Sequence, residues 1–332
     1  MSVQTRRLIG IYTLLLAGNI GAWLWAYTLF RGSTVLMGTA TLAYVLGLRH
    51  AVDADHIAAI DNVTRKLVQQ GKDPIAVGLY FSLGHSTVVA LACGAIAATT
   101  ANLYLRFSAV RAIGGLVGTG LSASILFLLA LANIVTLVSV WRAFRTRSGG
   151  DADTPGGLLS RILRPLVAVV AAPWQMYPLG FLFGLGFDTA SEVSLLGVSA
   201  SAATHAASVW TVMVFPALFT AGMALIDTTD GLLMKSAYGW ALINPQRKLA
   251  YNFAVTLISV LVALIVGGLE ALDLIATRFA IPGAFWRGVR DLNDHFGAIG
   301  CAVTAALLGC WILSSLLSRP KPHVTARLDD PA

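Results

Sequence analysis

Runs of about twenty apolar residues recur along nearly the whole chain, and no other feature narrows the fold so far. Each run has the length an α-helix needs to cross the roughly 30 Å of bilayer hydrocarbon. There the backbone must satisfy its own hydrogen bonds within the segment. The runs fall at about 8–30, 34–60, 75–99, 115–141, 177–200, 207–226, 249–270 and 296–317. The expected fold is therefore all-α, a polytopic membrane protein of eight transmembrane helices. Composition agrees: 57% of residues are hydrophobic and 12% charged, whereas charged residues approach about a quarter of a soluble domain.

Lysine and arginine set the expected orientation. With the N-terminus inside, sixteen fall in cytoplasmic loops and tails and six in outer loops, with Arg49 alone inside a span. That asymmetry follows the positive-inside rule, and it puts both termini in the cytoplasm and the chain in the cytoplasmic membrane. The net charge of +7 thus belongs to short loops and does not point to nucleic acid. Arg6 and Arg7 precede a first run that is too long for a signal-peptide core and lacks a small-x-small cleavage site, so helix one is expected to be retained. Residues 142–165, rich in Arg, Asp, Gly and Pro, read as a cytoplasmic linker. It divides an N-terminal four-helix half, 1–141, from a C-terminal four-helix half, 166–318, with a cytoplasmic tail at 319–332. Pro173 and Pro178 interrupt the apolar stretch 166–203, so helix five is placed at 177–200, with 166–174 as an interfacial or helix-leading piece. Cys93, Cys301 and Cys310 lie in apolar stretches without a CxxC partner and read as small buried residues.

One segment breaks the apolar pattern. Residues 47–62 continue the second run, yet Arg49, His50, Asp53, Asp55, His56 and Asp61 fall within thirteen positions. Ionisable groups inside a membrane are costly, which makes each a functional hypothesis. On a helix, His50, Asp53 and His56 lie within about 120° of one another. Asp55 points elsewhere, which calls for a second partner or a break in the helix. Two imidazoles and a carboxylate form a donor set for a borderline divalent cation such as nickel, cobalt or zinc.

The run Arg-His-Ala-Val-Asp-Ala-Asp-His-Ile at 49–57 resembles the second-helix signature of the nickel/cobalt transporter family. Leu-Gly-His-Ser-Thr at 83–87, Gly-Leu-Gly-Phe-Asp-Thr-Ala-Ser-Glu at 184–192 and Gly-Met-Ala-Leu-Ile-Asp-Thr-Thr-Asp-Gly at 222–231 are similar to further motifs of that family. The resemblance runs from about residue 8 to residue 317. It implies a secondary permease of eight helices that takes up divalent nickel or cobalt, with no cofactor beyond the transported ion. The linker at 142–165 contains no histidine, unlike the histidine-rich loops of some related exporters. That favours uptake, with efflux as the alternative direction.

The expected metal set is His50, Asp53, Asp55, His56 and His85, the last near the middle of helix three. Arg49, Asp188, Glu192, Asp227, Asp230 and Asn133 are expected along the pathway. Asp188 and Glu192 stand one helical turn apart, and no lysine or arginine is placed deep enough to neutralise all these acids. Metal binding needs neutral imidazoles, so uptake is expected to fall as pH drops through the histidine range. No phosphate-binding glycine loop of the Walker type occurs, and no obligate protein partner is inferred. An intramembrane enzyme fits poorly. His50-x4-Asp55 has the spacing of an acyltransferase box, but its companion segment is missing, and Gly184-x-Gly186-Phe-Asp188 is one residue off an aspartyl-protease motif. The segments 51–56 and 225–230 suggest a degenerate repeat of the two halves.

Overall fold

The computed structural model describes residues 3–98, 116–131, 133–135, 137–138, 141, 170–186, 189–205, 208–241 and 245–317, and among them there is no strand. The helices are α1 (Val3–Phe30), α2 (Thr34–His50), α3 (Ala54–Gln69), α4 (Val77–Ala98), α5 (Leu116–Val135), α6 (Met176–Gly184), α7 (Ala190–His205), α8 (Val214–Ala241), α9 (Pro245–Arg278), α10 (Ala284–Asp294) and α11 (Phe296–Leu317). A one-turn helix, Val209–Val212, leads into α8. Among the described residues, five helices are long and apolar enough to cross a membrane, and α2 with α3 makes a sixth across its bend. The other two of the eight expected runs correspond to the split pair α6 and α7 and to the 22-residue α11. The linker 142–165 and the tail 319–332 lie outside the described residues, as does 166–169.

The expected second helix is not continuous. It breaks at residues 51–53, and the two parts bend by 50°. Val52 N–H and Asp53 N–H bond back only three residues, to the carbonyls of Arg49 and His50, so the last turn of α2 tightens before Asp53 goes extended (φ −67°, ψ 146°). The fifth run is interrupted in the same way, ending as α6 at Gly184 and resuming at Ala190. Its restart has a local cause. Thr189 Oγ1 accepts from Glu192 N–H at 3.4 Å, the Thr-x-x-Glu capping arrangement that opens a helix.

Other boundaries shift as well. The sixth run extends to Ala241 and the seventh to Arg278. Eleven residues of the expected outer loop coil into α10. Residues 170–172 are not helical; they are held by the ammonium groups of Lys66 and Lys72, which donate to the carbonyls of Val170 and Ala171 at 2.7 Å each. Segment 225–230 runs inside continuous helix while 51–53 breaks, so the two proposed repeat segments differ in backbone.

Glycines set the packing distance. A Cβ on Gly84 would stand 1.9 Å from the Tyr177 carbonyl oxygen, and one on Gly180 would stand 2.0 Å from that of Phe81. Helices α4 and α6 therefore touch backbone to backbone, as small residues allow in membrane bundles. Two apolar cores flank this crossing. One joins Phe30, Val89, Leu195, Phe215 and Phe219; the other joins Ile60, Phe81, Leu126, Met176 and Phe183. Helix α1 lies on the outside, presenting Leu14, Leu16, Ile20 and Leu24. It is pinned by Asn19, which donates to the Ala221 carbonyl at 3.2 Å and accepts from Tyr44 at 2.9 Å.

Candidate metal centre

The two helix interruptions and α4 bring three imidazoles together. His50 ends α2, His56 sits in the first turn of α3, and His85 lies in α4 where Gly184 of α6 packs on its backbone. Their ring centroids form a triangle with sides of 4.6, 4.7 and 4.8 Å. One nitrogen from each ring lies within 4.8 Å of the others. Two nitrogens on one ion, each at about 2.1 Å from it, stand at most about 4.2 Å apart, so a gap of 4.8 Å must close by at least about half an ångström for both to bind. All three histidines are buried, at 2% exposure or less. Phe219 from one apolar core lies against His50, and Phe81 from the other lies against His56.

Hydrogen bonding aims the rings. Asp53 occupies the N-cap position of α3 but makes no side-chain cap bond. Its Oδ2 instead meets His50 Nδ1 at 3.2 Å. A proton on His50 Nδ1 leaves Nε2 bare, and this nitrogen lies 2.9 Å from His85 Nε2. A carboxylate on the far nitrogen of a metal-binding histidine is the usual way such a ring is oriented. Glu192, in the first turn of α7, puts Oε1 at 2.9 Å from His85 Nε2 and 4.0 Å from His50 Nε2. Thr189 holds the other oxygen of Glu192 at 3.1 Å. Neither ring nitrogen of His56 has a hydrogen-bond partner; Asp227 Oδ2 of α8 is the neighbouring carboxylate, 3.5 Å from Nδ1.

This arrangement regroups the expected residues. His50, His56 and His85 converge, and Glu192, expected along the pathway, reaches the same point with one carboxylate oxygen. Asp53 acts on His50 from behind. Asp55 is not in the triangle and instead lines a small cavity with Arg49, whose guanidinium donates to Ser191 Oγ at 2.9 Å. Asp227 reaches the triangle through His56. Asp230, one turn further along α8, is also buried. Asp188 lies outside the described residues.

Asn133 belongs to a second polar group. It donates to Asn62, which also takes a bond from Arg65 Nη2 at 3.4 Å. Asn62 is about 9 Å along α3 from His56. Beside it, Asp61 accepts from Tyr238 and, at 2.6 Å, from Ser259. Arg65, expected in an inner loop, is only 3% exposed because α3 carries it into the bundle. Spacing and composition give no role to Tyr238, Ser259 or Thr189. The Thr189-x-x-Glu192 cap was the one readable signal among them.

Four nitrogen and oxygen donors, buried and gathered from four helices, suit a borderline divalent ion with imidazole affinity. The family model NicO, described as high-affinity nickel-transport protein, matches residues 36–317. The chain is 52% identical over 322 residues to a high-affinity nickel transport protein of Cupriavidus necator, covering 94% of this chain and 92% of that one. It is 43% identical over 291 residues to the nickel transporter NixA of Staphylococcus aureus, covering 85% and 86%. It is 41% identical over 305 residues to the cobalt transport protein NhlF of Rhodococcus rhodochrous, covering 87% and 84%. No solved structure matches the chain. By the extent of these matches, the chain belongs to the NicO family of high-affinity nickel-transport proteins.

Proposed function

We propose that the chain is a secondary transporter that imports divalent nickel, and cobalt with it, through the His50–His56–His85 triangle. The observation that carries this reading is the convergence of one nitrogen from each ring within 4.8 Å, in a fully buried setting. Glu192 supplies an oxygen to the same point and a negative charge that offsets the ion. Relatives named as nickel and as cobalt transport proteins support both substrates, since the two ions take the same donors. The inward direction follows the membrane potential: moving two charges across about 100 mV is worth roughly 4.6 kcal/mol.

Asp53 keeps His50 in the tautomer that presents Nε2, and His56 and His85 complete the nitrogen set. Helices α2, α3, α6 and α7 all end or begin at this point. Transporters use such interrupted helices because irregular backbone at membrane depth is tolerated where it lines a site. The test is uptake of radioactive nickel by cells producing wild-type protein, His50→Ala or His85→Ala at equal membrane abundance. Uptake is expected to fall by at least about tenfold in either variant, and wild-type rates in both would remove the triangle from the pathway. Proteoliposomes with nickel outside or inside read the direction.

A further inference from the structure

A cavity of about 30 Å³ lies beside the triangle, walled by Arg49, Asp53, Asp55, Glu270, Asn293 and Asp294 among others. That is room for a water or two. Its walls come from the α2–α3 break, the far part of α9 and the end of α10. Four carboxylates face one guanidinium, and that guanidinium is engaged with Ser191. Exposure falls across the walls. Asp294 is exposed, Asp55 is half-buried, Glu270 is 4% exposed and Asp53 is 2% exposed.

Asp53 belongs to both places. Its Oδ2 holds His50, while its Oδ1 is buried without a hydrogen-bond partner. That Oδ1 faces the start of α11, 3.2 Å from where a Cβ on Gly297 would stand, next to Phe296 of the cavity wall. A buried carboxylate oxygen without a donor, in a wall of net charge −3, is a position a cation would satisfy.

We propose that this cavity is a separate outer cation site, which takes a divalent ion through carboxylate oxygens and retained water before the ion reaches the histidines. Its donors are all oxygen, so it also accepts hard ions such as manganese, more weakly than nickel but with less discrimination than imidazoles give. The imidazoles behind it then discriminate. Capture draws on charge, selection on nitrogen. The direction of transfer, though not the binding itself, rests on the reading of the triangle as the transport site.

The test measures manganese binding to purified full-length protein in detergent by electron paramagnetic resonance. Wild type, Asp294→Asn, Glu270→Gln with Asp294→Asn, and His85→Ala are compared. Manganese affinity is expected to fall by at least about tenfold in the double variant, to fall less in Asp294→Asn, and to be unchanged in His85→Ala. Asp294 is exposed, so its single variant remains informative if the double variant does not fold. In nickel uptake, Asp294→Asn is expected to raise apparent KM with the maximal rate retained, and manganese is expected to compete less well against nickel than in wild type. Manganese binding that is absent from wild type, unaffected by the carboxylate variants, or lost in His85→Ala overturns the outer site. Failure of the histidine variants to reduce nickel uptake would instead overturn the transport reading and leave the manganese result standing.

Discussion

Asp53 shows how little a residue's type says about its task. An aspartate at an N-cap normally accepts from the first turn of its own helix; here it turns to His50 and leaves α3 without that bond. At the proposed histidine site its effect on the ion is therefore indirect, through the orientation and basicity of one imidazole, while its Oδ1 faces the proposed outer site. Asp53→Ala is expected to weaken nickel binding by about 10–100-fold, the usual cost of losing such a support, as read by calorimetry on purified protein. Asp61 has a different position. Both of its oxygens are held, by Tyr238 and by Ser259, so its role is to tie α3 to α8 and α9. Tyr238→Phe removes one donor from a buried carboxylate, at a cost of about 1–3 kcal/mol. The expected outcome is a lower thermal unfolding midpoint in detergent with nickel affinity retained; a lost nickel affinity at unchanged stability would move Asp61 into the site.

At the level of elements, the three imidazoles and Glu192 meet because two helices stop. Had α2 continued through residues 51–53, Asp53 and His56 would follow His50 round a straight helix, and Asp55 would point away from both cavity and cluster. The break is held from outside by α11, where a Cβ on Gly300 would stand 1.8 Å from the Val52 carbonyl oxygen. No side chain fits there. Gly300→Ala is expected to cost about 1–3 kcal/mol as an overpacked contact and to lower nickel uptake by displacing the break. Gly309→Ala, with nothing within 4 Å of its Cβ, serves as the control and is expected to match wild type in both thermal stability and uptake.

Across the whole molecule, Arg7, Asp73 and Lys235 meet on one side, with Asp73 at 3.8 Å from Arg7 and 2.7 Å from Lys235. Helix α10, with Phe285, Arg287 and Asp294, joins α9 to α11 at their other ends. If the basic side is cytoplasmic, as the positive-inside rule requires, a cysteine replacing Phe285 will react with a membrane-impermeant maleimide in intact cells. One replacing Lys72 will react only after permeabilisation. The opposite pattern would reverse the orientation and turn the acidic cavity toward the cytoplasm.

Hydropathy alone was enough to identify an all-helical membrane chain, because lipid admits few other ways of pairing a backbone. The charged stretch at 49–61 also announced itself, since ionisable groups in an apolar run need a reason. Spacing put His50 and His56 on one side and Asp55 on another, but it could not separate Asp53 from the convergent donors, because it presumes an unbroken helix. Only the tertiary structure put Glu192 within reach of His50 and His85, moved Asp55 into a separate wall and buried Arg65. It also brought in Glu270 and Asp294, more than 200 positions away along the chain. The physical reason is that a helix's period is local, whereas a break, a bend and a backbone contact at glycine are decided by the neighbours packed against it.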